Sequence, residues 1–188
     1  MHFGIRKTLF ELHALVVAWN FGFRKYLFGF EAANLTLSKA DKASVLLILK
    51  RYGAQIGVNS DIETGLTFHN CRDYSHLTVG NNCHIGKNAF FDLRDKVEIG
   101  DNVVISMGCM LLTHIDLNGS ALSKAYPAEK GLIKIEHDCY VGARCTILKG
   151  IHVGPKSFIA AGSLVNKDVE TSTMVGGVPA KMIKRLAS

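Results

Sequence analysis

No C-x-x-C pair occurs in this chain, and its five cysteines (Cys71, Cys83, Cys109, Cys139 and Cys145) are an odd number. That arithmetic argues against a disulfide framework and against a zinc site of the usual spacing. Free thiols in number suit a reducing compartment. Lys/Arg blocks are missing, as is any interleaving of basic and aromatic residues on the repeats. The net charge of +6 and the pI of about 9.1 therefore point to an anionic ligand or an anionic surface ahead of nucleic acid. No apolar run reaches the roughly 20 residues that a bilayer-spanning helix takes. The stretch Leu12–Phe23 carries His13 and Asn20 and is flanked by Arg6, Lys7, Arg24 and Lys25. Glu11 and His13 interrupt it and no A-x-A site follows, so it is a poor secretion signal. At 48% hydrophobic and 20% charged residues the chain is not disordered. Its 188 residues suffice for one well-buried core.

What is present is a period. Ile135, Val141, Ile147, Val153, Ile159 and Val165 recur every sixth residue without a slip. No helix has that period and a flat strand has two, so each repeat is one short strand plus one corner. Three repeats make one triangular turn of a parallel β-helix. Upstream the register returns in runs, Val79, Ile85, Phe91 and Val97, then Ile99, Ile105 and Leu111, with a weaker run at Ile56, Ile62 and Phe68. Gly follows the aliphatic position at 57, 80, 86, 100, 142 and 154, where a tight corner is expected to need it. Four residues after each aliphatic position comes a small or β-branched residue. Four of the five cysteines occupy that slot, which reads as buried thiols acting as small hydrophobes.

Residues 1–53 form a helical and extended lead-in, with a helix near Asp41–Tyr52 that ends at Gly53. Residues 54–186 form the repeat domain. Within it, 114–132 loses the inward register and should leave the prism as a loop, a common place for function. Beyond Pro179, Ala180–Leu186 is expected to close the end as a short basic helix, since an open solenoid end exposes strand edges and core. For residues 1–30 two readings stand. They are a helix packed on the solenoid or on a neighbouring subunit, or a basic amphipathic anchor on a membrane face.

The stretches FDLRDKVEIGDNVVIS (91–106), LLTHIDLN (111–118), YVGARCTILKGIHVGPKSFIAAGSLVNKDV (140–169) and VGGVPAKMIK (175–184) resemble the hexapeptide-repeat acyltransferases. The resemblance is to the maltose and galactoside O-acetyltransferases and the polysaccharide O-acetyltransferases. It implies a left-handed parallel β-helix, acetyl-CoA as co-substrate with no metal, and a homotrimer with active sites between subunits. It also implies a sugar or glycan acceptor as in polysaccharide biosynthesis. The free thiols place the protein in the cytoplasm, and the anchor reading of residues 1–30 would put it peripherally at the inner membrane face. His114, in a T-H context, matches the family's catalytic base, and the expected transfer is direct. Asp92 matches an acidic residue ahead of the coil that delivers that His. Asp116, two residues beyond His114, is a second carboxylate candidate.

For the pantetheine arm, Gly142, Ala143, Ala161 and Gly162 are small enough to let it lie close. Asn166 and Lys167 match the pair at the end of the groove, although Thr is commoner than Asn there. Lys181, Lys184 and Arg185 are candidates for the phosphates. Tyr140 stands where relatives commonly carry Trp. Two rivals remain. A gamma-type carbonic-anhydrase-like zinc protein would need three His at a subunit boundary, and the expected H-x-x-x-x-H pair is missing after residue 84. A non-catalytic β-helix scaffold would bind no CoA.

Overall fold

A computed structural model describes residues 2–187, with the backbone alone for 2–7, so the side chains of Arg6 and Lys7 lie outside it. Helix α1 (His2–Leu37) is two helices joined at Gly29, whose φ of 84° and ψ of 173° are not helical. Helix α2 (Lys42–Arg51) starts where the Asp41 carboxylate accepts the N–H groups of Ala43 and Ser44, a side-chain N-cap. It stops at Gly53, which takes φ 106°.

The chain then winds into three parallel sheets. The first contains 55–56, 77–79, 97–99, 133–135 and 152–153; the second contains 61–62, 84–85, 104–105, 140–141, 158–159 and 173–176; the third contains 67–69, 90–92, 110–111, 146–147 and 164–165. Successive strands join different sheets. Ile135 pairs with Val153, Val141 with Ile159, and Ile147 with Val165, each partner 18 residues on. The aliphatic sixth positions point inward and are buried, except Ile56 of the first coil, which is half-buried, and the small positions between them are buried too. The four prism thiols use the backbone of the next coil. Cys83 donates to the Gly100 carbonyl at 3.0 Å, Cys109 to Gly142 at 3.1 Å, Cys139 to Gly154 at 3.2 Å and Cys145 to Ala160 at 3.0 Å.

The corner glycines are there for a different reason than expected. Gly57, Gly80, Gly86, Gly100, Gly142 and Gly154 are not the left-handed residues. That conformation falls two residues later, on Asn59, Asn82, Asn88, Asn102, Arg144 and Lys156. A Cβ on Gly142 would stand 2.5 Å from the Ala161 nitrogen, and one on Gly154 would stand 2.7 Å from the Thr171 nitrogen. These positions are glycine because stacked coils leave no room for a side chain. The left-handed corners favour Asn, which tolerates that region. Asn59, Asn82, Asn102 and Asp138 also chain their side chains from coil to coil.

Both ends of the prism are closed. At the first coil, Phe21 and Phe30 of α1 meet Tyr52 and Tyr74, Tyr74 meets Phe68, and Phe68 stacks on Phe91. The Tyr74 hydroxyl donates to Asn34 of α1 at 2.5 Å. At the last coil the expected short C-terminal helix is not found. Lys181–Arg185 is a strand, antiparallel to Thr173–Gly176. The unpaired edge of the last coil supplies backbone partners that a helix over 180–186 would leave unused, and edge pairing outweighs local propensity.

Candidate active site

His114 sits where the third sheet turns toward the first, just after the 110–111 strand. The chain leaves the prism there: His114–Ile115 pairs antiparallel with Glu129–Lys130, and a short 3-10 turn, Ala121–Lys124, lies between them. The base of this excursion is tied on both sides. Arg94 reaches Asp116 at 3.3 Å on the outgoing strand, and Lys149 pairs with Glu129 on the return.

One coil below His114, Asp92 ends the 90–92 strand and is 1% exposed. Its Oδ2 accepts from His114 Nδ1, from the Thr113 amide at 3.0 Å and from the Thr113 hydroxyl at 3.0 Å. Its Oδ1 accepts the Arg94 amide at 3.3 Å. Burial pushes this carboxyl up, but the donated hydrogen bonds from His114, Thr113 and Arg94 outweigh it and hold the group below the usual carboxylate range. Asp92 is therefore an anion in an enclosed place. An ionised carboxylate only accepts, so His114 donates from Nδ1, and in the neutral ring that leaves Nε2 as the free lone pair. The imidazole itself keeps 19% of its surface open.

Thr113 was not singled out from sequence beyond its place before His114. It is fully buried, and its hydroxyl also receives the Asp95 amide at 3.1 Å. The signal was present, since a Thr at an inward position needs a polar partner. Asp116 is not brought to the imidazole. It accepts the Asn118 amide at 2.8 Å and faces Arg94.

The remaining candidates divide by edge. Asn166 and Lys167 follow the 164–165 strand, at the same corner as His114 and two coils on, about 10 Å along the axis at the usual inter-strand spacing. They line an open groove of about 320 Å³ with Lys181 and Met182. Gly142, Ala143, Ala161 and Gly162 stack at the corner between the second and third sheets, with the Gly162 amide donating to the Ala143 carbonyl at 2.8 Å. Tyr140 lies on the second sheet, stacked on Phe158 at 4.6 Å, with the Ser106 hydroxyl 3.1 Å from its own. Lys184 pairs in register with Met174, and Arg185 is engaged with Glu170 at 2.6 Å. The chain thus sets His114 and the small-residue row on opposite edges of the third sheet.

A cavity of about 760 Å³ lies beside α1 and is lined by none of these residues. The chemistry goes with the buried carboxylate and its imidazole, not with that volume. Among the described residues no three His, Cys, Asp or Glu side chains stand close enough to share a metal ion.

Residues 76–112 and 132–167 match the family model described as the hexapeptide repeat of succinyl-transferase. The chain is 29% identical to the galactoside O-acetyltransferase of Escherichia coli over 150 residues, 74% of this chain and 67% of that enzyme. It is 34% identical to the 2,3,4,5-tetrahydropyridine-2,6-dicarboxylate N-acetyltransferase of Enterococcus faecalis over 120 residues, 50% of this chain and 52% of the relative. The match therefore spans only about half to two thirds of these relatives. A hexapeptide-repeat acetyltransferase of Vibrio cholerae has the same fold at a TM-score of 0.72 and 25% identity, covering 94% of both chains. Its complex with acetyl-CoA aligns at a TM-score of 0.66 and 26% identity, covering 82% of this chain and 84% of that one. Repeat, coil geometry and relatives together make this chain a hexapeptide-repeat protein built on the left-handed parallel β-helix.

Proposed function

We propose that the protein transfers an acetyl group from acetyl-CoA to a hydroxyl of a sugar or glycan, with His114 as general base. The observation that carries this reading is the buried, ionised Asp92 holding the His114 ring in one tautomer. Nε2 takes the acceptor's hydroxyl proton while the oxygen bonds to the thioester carbon. The tetrahedral intermediate then collapses, the C–S bond breaks, and the departing CoA thiolate takes the proton back from the imidazolium. No acyl-enzyme is needed. The four prism thiols are buried and donate to carbonyls. Burial pushes the Cys71 thiol up to about 11, which leaves it a poor nucleophile at neutral pH.

The relatives include an N-acetyltransferase, so the acceptor atom has to be argued. A neutral amine attacks a thioester unaided, whereas a hydroxyl is a far weaker nucleophile until its proton is removed. A carboxylate-oriented imidazole suits the harder case. The arm of acetyl-CoA is assigned to the small-residue row at Gly142, Ala143, Ala161 and Gly162, with Tyr140 beside it. Asn166 and Lys167 take the groove end, and Lys181 and Lys184 the phosphates. Because that row and His114 lie on different edges, the site is completed by a neighbouring copy, as in a trimer. Dependence on acetyl-CoA and the free thiols fit a cytoplasmic enzyme.

The test is product analysis by mass spectrometry after incubation with acetyl-CoA and a panel of sugars and amino sugars. An alkali-labile acetyl ester is expected. An acetamide product would transfer the reading to nitrogen, and no acetylation together with no acetyl-CoA binding would sink it.

A further inference from the structure

Helix α1 is apolar on two opposite sides. Ala14, Ala18 and Phe21 face inward and are buried. On the far side Leu12, Leu15, Val16, Trp19, Phe23 and Tyr26 follow the helical spacing, and each is half exposed or more, Trp19 at 70% and Tyr26 at 87%. A helix apolar all round is normally covered all round, and exposed apolar stripes of this size mark an interaction surface. We propose that this outer side of α1 docks on a membrane surface bearing anionic lipids.

Charge selects that occupant, and a lipid surface needs no complementary partner. The cavity beside α1 opens next to Val16 and is lined by Arg24, Lys39, His13 and Asn20. Its one carboxylate, Asp41, is already engaged by Ser44, the α2 amides and His13. Among the described residues no carboxylate pairs with Arg24 or Lys39, and the Arg24 Nε–H is buried without an acceptor. A basic recess bordering an apolar ridge fits a phosphate headgroup above acyl chains. The helix lies on the surface and does not cross it, since no described helix is long and apolar enough to span a membrane.

Trp19 is the only tryptophan in the chain and reports on the contact directly. The full-length protein is mixed with phosphatidylcholine vesicles, with and without phosphatidylglycerol. With phosphatidylglycerol, Trp19 emission should move to the blue, be quenched by brominated lipid, and recover as salt is raised. The double variant Leu15→Ser/Phe23→Ser should lose roughly a hundredfold in vesicle partition. Arg24→Gln/Lys39→Gln should lose about tenfold or more. Both should melt like wild type, because the first pair faces outward and the second has no internal ion pair to lose. Three results would overturn the proposal. They are no shift with either vesicle, equal binding without phosphatidylglycerol, and an emission already blue and concentration-dependent without lipid. The last would mean that a second copy covers the stripe.

Discussion

Asp92 keeps a negative charge inside the protein on hydrogen bonds from Thr113, His114 and Arg94. Its folded pKa is depressed. The stability it supplies is therefore full above the ordinary carboxylate value of 3.8 and is lost as pH falls through the folded value below it. Asp92→Asn should flatten that acid limb in pH-dependent urea melts. It should also cost about 1–3 kcal/mol near neutrality, because an amide nitrogen or oxygen must replace a fully accepting carboxylate. In catalysis it should lower kcat by about 10²–10⁴-fold with little change in KM, by analogy with other carboxylate-oriented histidines. Thr113 acts through Asp92 and is a positioning residue. Thr113→Val leaves the Asp95 amide without its acceptor and should cost about 1–2 kcal/mol. It should reduce kcat less than Asp92→Asn, and Thr113→Ser should restore most of both.

At the scale of the coil, two neighbouring residues do different jobs that a sequence pattern merges. Gly154 is excluded from carrying a side chain by the coil above it, while Lys156 bears the left-handed φ of 58°. Gly154→Ala should therefore destabilise the protein by about 1–3 kcal/mol or more, as overpacked sites do. Lys156→Gly should be neutral or stabilising by up to about 1 kcal/mol, since glycine relieves the left-handed cost; thermal melts of the two variants check the contrast. The same merging explains what was legible. The inward register at Ile135 through Val165 and the small thiol positions could be read directly, because burial inside a narrow prism dictates residue size at fixed spacing. The role of the corner glycines could not, because their neighbours lie 15 to 37 residues away. Nor could the strand at Lys181–Arg185, whose partner is an edge that exists only after the coils have stacked. His114 was legible from its context, but its buried partners depend on a contact 22 residues back.

The whole molecule is a prism with one aromatic-plugged end under α1, one strand-capped end, and an excursion loop tied at its base beside His114. His114 and the Gly142–Ala161 row stand the width of one sheet apart, and the proposed function therefore predicts a site shared between copies. A mixture of two inactive variants should show it. His114→Ala keeps the arm row and Ala161→Trp blocks it, so co-expressed mixed oligomers should regain activity that neither variant has alone. Sites contained within single chains would give no recovery. The central claim, that His114 removes the acceptor proton, is met most directly by one comparison. Acetyl-CoA binding and acceptor-dependent CoA release are measured for wild type and His114→Ala at neutral pH. The account requires equal acetyl-CoA binding, with acceptor-dependent release in wild type alone. Release by His114→Ala at the wild-type rate would contradict it.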